Sequence, residues 1–190
     1  MAVISRYSFK EIEIPETILI SNFAASDERG EVEKSYSFEV MKEYGIVFVP
    51  RETLLISGRK GVIRGLHYQR IKPVDKFIQC IKGKIWCVVL DLRKENETFG
   101  KWTSIELRAE DKLAVYVPKG CAFGTLTLEE SQILCQSGEK FYPEYDSGIR
   151  WDDNDISVKW PLEYLNDEKV MLSDKDIKLQ TLREYMEENN

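Results

Sequence analysis

The chain has 190 residues, of which 43% are hydrophobic and 32% charged, and a formal net charge of −6. That length suits one domain with a real core, and the acidic balance excludes general nucleic-acid binding, which needs a basic surface. No apolar run approaches the ~18 residues that span a bilayer, so no membrane partner is expected.

The N-terminus, "MAVISRYSFKEIEIPE", has no apolar h-region and no cleavage site, so it reads as a strand-like arm and not as a signal peptide. "FEVMKEYG" (38–45) predicts a short helix ended by Gly45. From there the text turns to short β segments rich in Val, Ile, Leu and aromatics. These are "GIVFVP" (45–50), "ETLLIS" (52–57), "KFIQCIKG" (76–83), "KIWCVVLDL" (84–92), "WTSIEL" (102–107), "LAVYVP" (113–118), "AFGTLTL" (122–128) and "SQILCQS" (131–137). Glycines punctuate them, and many short, closely spaced strands predict an all-β sandwich or jelly roll. "SDKDIKLQTLREYMEEN" (173–189) predicts a C-terminal helix. Ser173 is its expected N-cap, with Asp176 at the third helical position in place of the Glu of a capping box. One domain is expected, with an arm over about 1–45, a roll over about 46–160 and a tail over about 161–190.

Cys80, Cys87, Cys121 and Cys135 form no CxxC pair and sit in apolar text, which reads as reduced thiols of a cytoplasmic protein. The chain has one histidine, His67, in "GVIRGLHYQ" (61–69). One imidazole without clustered cysteines cannot easily make a metal site, so neither metal nor cofactor is expected. A lone histidine is more often structural than catalytic, so the surroundings of His67 must decide its role.

Several stretches point to a family. "DERG" (27–30), "GVIRGLHYQ", Lys76, "GKIWCVVLDLRKENETFGKW" (83–102), "VPKGCAFG" (117–124), "GIRWDD" (148–153), "VKWP" (158–161) and "LSDKD" (172–176) resemble the RmlC-type 3,5-epimerases of dTDP-4-keto-6-deoxyglucose. The matches run in order over nearly the whole chain. The resemblance implies a metal-free cupin, a β jelly roll with a short N-terminal arm and a C-terminal helix. It also implies a homodimer in which the arm of one subunit reaches the partner's site.

The implied substrate is a nucleotide-diphosphate sugar with a ketone at C4, which acidifies the hydrogens at C3 and C5. A histidine of ordinary pKa ~6.5 can remove such a hydrogen to leave an enolate. The resemblance makes His67 that base and Asp176 the carboxylate that orients it, although Asp176 also suits a helix N-terminus. It assigns Lys76 to the enolate oxygen and Arg29 and Arg64 to the diphosphate, since guanidinium forks match phosphate oxygens. Glu52, Gln69, Phe123 and Phe141 fall among the implied substrate-binding residues. Unmatched lysines and arginines are usually surface residues, so these assignments rest on the motifs.

The departures are informative. A second active-site histidine is replaced by Phe123, and the general-acid tyrosine aligns with Cys135. A family Asp becomes Cys87. The aromatic that stacks on thymine aligns with Val32, and the amide pair that reads the base aligns with Glu52 and Leu54. A thiol of pKa ~8.5 can donate a proton but is much shorter than tyrosine. The leading expectation is therefore a specialised epimerase acting at C3 alone on a hexose or heptose. Its nucleotide is dTDP or GDP, as in capsular polysaccharide synthesis. The alternatives are a full 3,5-epimerase and, in another class, a non-catalytic cupin that binds a nucleotide sugar.

Overall fold

The computed structural model describes residues 3–166 and 168–188. The last residue of the expected C-terminal helix, 189, lies outside them. In chain order the first strands are β1 (Val3–Ser5), β2 (Ser8–Glu11), β3 (Ile18–Ser21), β4 (Phe23–Asp27) and β5 (Gly30–Lys34), followed by helix α1 (Phe38–Glu43). Next come β6 (Glu52–Gly58), β7 (Ile63–Gln69), β8 (Lys76–Lys82), β9 (Lys84–Asp91) and β10 (Trp102–Arg108). The roll closes with β11 (Leu113–Val117), β12 (Cys121–Thr127), β13 (Ser131–Ser137) and β14 (Asp146–Gly148), and helices α2 (Asp174–Ile177) and α3 (Leu182–Glu188) follow.

The chain is an all-β jelly roll of two facing sheets. One is ordered β10-β9-β12-β7-β14, the other β2-β3-β11-β8-β13-β6, and a small third sheet, β1-β4-β5, forms the arm. Part of the arm segment is built into the roll, because β2 and β3 extend the six-stranded sheet beside β11.

β9 shows how sequence becomes layer. Ile85, Cys87 and Val89 face the other sheet in the central core. Val88 and Leu90 face outward, beneath Trp160, Leu165 and Leu182 of the C-terminal segment. A strand covered on both faces reads as a continuous apolar run, and burying each such side chain contributes about 1.5–3 kcal/mol. β10 is covered on one face only, and its burial alternates residue by residue.

Three sequence expectations change. "GIVFVP" is not a strand. Ile46 and Phe48 are buried against Met41, Ile18 and Phe77 on the outer face of the six-stranded sheet, while Val47 and Val49 stay exposed. The segment crosses over the sheet, so it has the burial alternation of a strand without a neighbour to pair with.

The C-terminal helix is present as two pieces. Gln180 leaves the helical path to bridge Ile149, and Thr181 starts α3 with a reciprocal cap: its Oγ1 accepts from Glu184 N–H while Glu184 Oε2 accepts from Thr181 N–H. "TLRE" is thus a capping box inside the stretch expected to be one helix.

Finally, residues 63–69 form a strand that the apolar pattern left unassigned. Gly65 interrupts the alternation because the backbones touch there: it has φ +105°, and a Cβ would meet the Phe123 carbonyl oxygen at 2.6 Å.

Candidate active site

A cavity of about 280 Å³ opens between the sheets where β7 and β14 face β8, β13 and β6. The six-stranded sheet supplies two rows of cross-strand neighbours. Lys76, Ser137 and Glu52 form one, and Ile78, Cys135 and Leu54 the next. His67 reaches the cavity from β7, in the opposite sheet.

His67 and Asp176 form a pair, with Nε2 to Oδ1 at 2.8 Å. Asp176 comes from α2, whose N-cap is Ser173 as expected. The Ser173 hydroxyl accepts from Asp176 N–H and donates to Asp176 Oδ2 at 2.8 Å. The Gly65 N–H adds a longer contact to Oδ1 at 3.4 Å. Burial alone pushes the Asp176 carboxyl up. The hydrogen bonds from His67 and Ser173, the His67 charge and the Gly65 N–H outweigh that, and the carboxyl sits below its ordinary value. A carboxylate on Nε2 places the proton there and leaves the lone pair on Nδ1. Nδ1 has no hydrogen-bond partner and is covered from water.

Lys76 and Cys135 line the cavity opposite His67. Burial pushes the Cys135 thiol up, against weaker downward pulls from the Lys76 charge and a Ser137 hydrogen bond. Cys135 is therefore a protonated thiol at neutral pH. Glu52 lines the same cavity, and its Oε2 accepts the Phe141 N–H at 3.1 Å. The Phe141 ring stands half-exposed at the rim.

The remaining candidates divide. Gln69 lines the cavity, but its amide is spent on backbone: its Oε1 accepts from Tyr142 N–H, and its Nε2 donates to the carbonyls of Lys72 and Lys140. Phe123 is packed in the core between the sheets and is not among the side chains lining the cavity. Arg64 borders a second hollow, on the far side of His67, with Met171, Ser173 and Lys175. Its Nη2 donates to the Ser57 carbonyl, while Nη1 is buried without a partner. Arg29 stands at the tip of the β4–β5 hairpin, its side chain 85% exposed and paired with Asp27, away from the cavity of its own chain.

Lys175 and Asp146, which also line the cavity and form an ion pair there, went unread in the sequence. The available signal was the position of Lys175 inside "LSDKD", next to Asp176. Among the described residues, no three His, Cys, Asp or Glu side chains converge as metal ligands.

A jelly roll that holds a histidine–carboxylate pair against a lysine across one cavity defines a protein equipped for acid–base chemistry. The profile of the dTDP-4-dehydrorhamnose 3,5-epimerase family matches residues 11–184. The chain belongs to that family and is thereby an isomerase of the epimerase type. The dTDP-4-dehydrorhamnose 3,5-epimerase of Methanothermobacter thermautotrophicus is 37% identical, over 95% of this chain and 97% of that protein. RmlC of Legionella pneumophila, solved with dTDP-4-keto-L-rhamnose, superposes with a TM-score of 0.88 at 29% identity, over 94% of each chain. ChmJ of Streptomyces bikiniensis, a 3'-monoepimerase solved with dTDP-quinovose, gives 0.85 at 25% identity, over 94% of this chain and 89% of that one.

Proposed function

We propose that this chain epimerises a nucleotide-linked 4-keto sugar beside its ketone. His67 is the base, Asp176 its orienting carboxylate and Lys76 the counter-charge of the enolate. The observation that supports this reading is the meeting of the His67–Asp176 pair with Lys76 on opposite walls of one cavity.

The chemistry follows from the side chains. The ketone draws the electron pair of the broken C–H bond onto its oxygen, and the proton passes to the His67 imidazole. Asp176, already ionised, steadies the imidazolium that forms. The Lys76 ammonium stabilises the charge that develops on the enolate oxygen. Inversion is complete when a proton returns to the same carbon from the opposite face and His67 releases its own to solvent. A positioned base of this kind contributes about 10²–10⁴-fold to the rate.

The family and the Methanothermobacter relative are named for both carbons and ChmJ for the 3' position alone, and reaction at C3 and C5 is the reading the family supports. One observation favours a second reading, reaction at C3 alone. The cavity wall opposite His67 carries the short Cys135 thiol, flanked by Leu54 and Ile56. At C3, a water beside Cys135 is then the donor. Incubation with dTDP- and GDP-linked 4-keto hexoses and heptoses in heavy water, followed by NMR, tests both. Deuterium with inverted stereochemistry at both carbons supports the 3,5-epimerase, and at C3 alone the restricted enzyme. No exchange with any sugar leaves a cupin that only binds.

The active form in this proposal is a homodimer in which Arg29 serves the partner's cavity. The placement of Arg29, exposed and away from its own cavity, supports it.

A further inference from the structure

Lys76 opens β8 and faces the cavity, yet among the described residues no carboxylate pairs with it. Its ammonium stands instead over the ring of Phe123, 5.8 Å from the centroid. Phe123 is 8% exposed and lies on β12, the strand between β9 and β7. On one side its Cα pairs with Val89, on the other with His67. The ring therefore backs the lysine without lining the cavity.

We infer that Phe123 is a positioning residue for Lys76, holding the ammonium in place without neutralising it. A carboxylate in that position would grip the lysine more firmly, but it would also cancel the field that the enolate oxygen needs. The face of an aromatic ring attracts a cation through its quadrupole and leaves the net charge intact. The low dielectric around the ring strengthens that attraction. Because Phe123 pairs with His67 across two strands, the base and the counter-charge are registered to the same point, although they come from different sheets. A small displacement of either group is costly to a reaction that depends on both. This inference rests on the reading of Lys76 as the enolate's partner.

The test replaces Phe123 with phenylalanine bearing one, two or three ring fluorines. Each fluorine drains the ring face while nearly preserving its shape, so a purely structural ring would not register the change. The exchange kcat is expected to fall stepwise, by about tenfold at three fluorines, with substrate affinity little changed. Phe123→Leu is expected to fall at least as far. A flat series in an otherwise active enzyme overturns the inference. A second readout needs no turnover: the ε-methylene protons of Lys76 should be shifted upfield by the ring current and return to ordinary lysine positions in Phe123→Leu. Ordinary positions in the wild-type protein overturn the inference, whether or not the enzyme turns over. If the wild type exchanges no hydrogen with any sugar, the reading of the site fails, and the NMR result alone decides the role of Phe123.

Discussion

His67 Nε2 and Asp176 Oδ1 stand 2.8 Å apart, joining a strand of the roll to the cap of a short helix near the far end of the chain. The C-terminal segment is thus part of the site, and damage to its cap reaches the base. His67→Asn removes the base and is expected to lower hydrogen exchange in heavy water by about 10²–10⁴-fold. Asp176→Asn leaves an imidazole in place without its charge partner, so exchange should be slower than wild type yet clearly above His67→Asn. Exchange at the wild-type rate in His67→Asn would show that another group is the base.

Cys135 bears on which carbons react. Its thiol is pushed up by burial and so stays protonated at neutral pH. If a water is the donor, Cys135→Ala should retain most of the C3 exchange rate. Cys135→Tyr should recover some inversion at C5 if the added phenol fits beside Leu54 and Ile56. NMR of the products in heavy water reads both variants. A Cys135→Ala enzyme as inactive as His67→Asn would make the thiol itself the acid, and a wild-type product inverted at both carbons would end the C3-only reading.

Asp91 governs acid stability. It is fully buried and accepts hydrogen bonds from Arg93, Thr98 and Asn96. Burial alone would raise its carboxyl, but these bonds hold it at about 2. A carboxyl lowered by folding stabilises the native state above its unfolded pKa of ~3.9, and that contribution is lost as pH falls through the folded value. The shift corresponds to about 2.5 kcal/mol at neutral pH. Urea unfolding of wild type and Asp91→Asn should therefore differ by at least this much at pH 7 and converge towards pH 2. A difference independent of pH over that window would contradict the assignment.

Arg29 tests the assembly. Sedimentation at micromolar concentration should show a dimer. Arg29→Ala and His67→Asn should each be impaired alone, but mixed dimers should recover activity. If Arg29 acts on the partner, a mixed dimer carries both lesions in one site and leaves the other intact. Absence of recovery in verified mixed dimers would place Arg29 outside the partner's site.

Much of the fold is written locally. Segments with a neighbour to pair with, such as 84–92 and 131–137, carry enough apolar, β-branched text to be read as strands without knowing that neighbour. The cap at Ser173 and the turn at Gly45 are likewise readable, because each is made within a few residues. The motifs around His67, Lys76 and Asp176 identify the family because residue type and order survive in the linear chain. Where contact across the fold decides, the linear text is silent. Whether 45–50 pairs or merely covers depends on which sheet edges are free. Gln180 lies between the two helices, where it bridges Ile149. Phe123 reads as a pocket residue by position, yet the sheets close over it and leave its ring face to Lys76. Composition and local spacing determine which elements form and which chemistry is at hand. Only the packing of one sheet on the other decides which side chains share a cavity, because that choice is made by contacts between residues far apart in the chain.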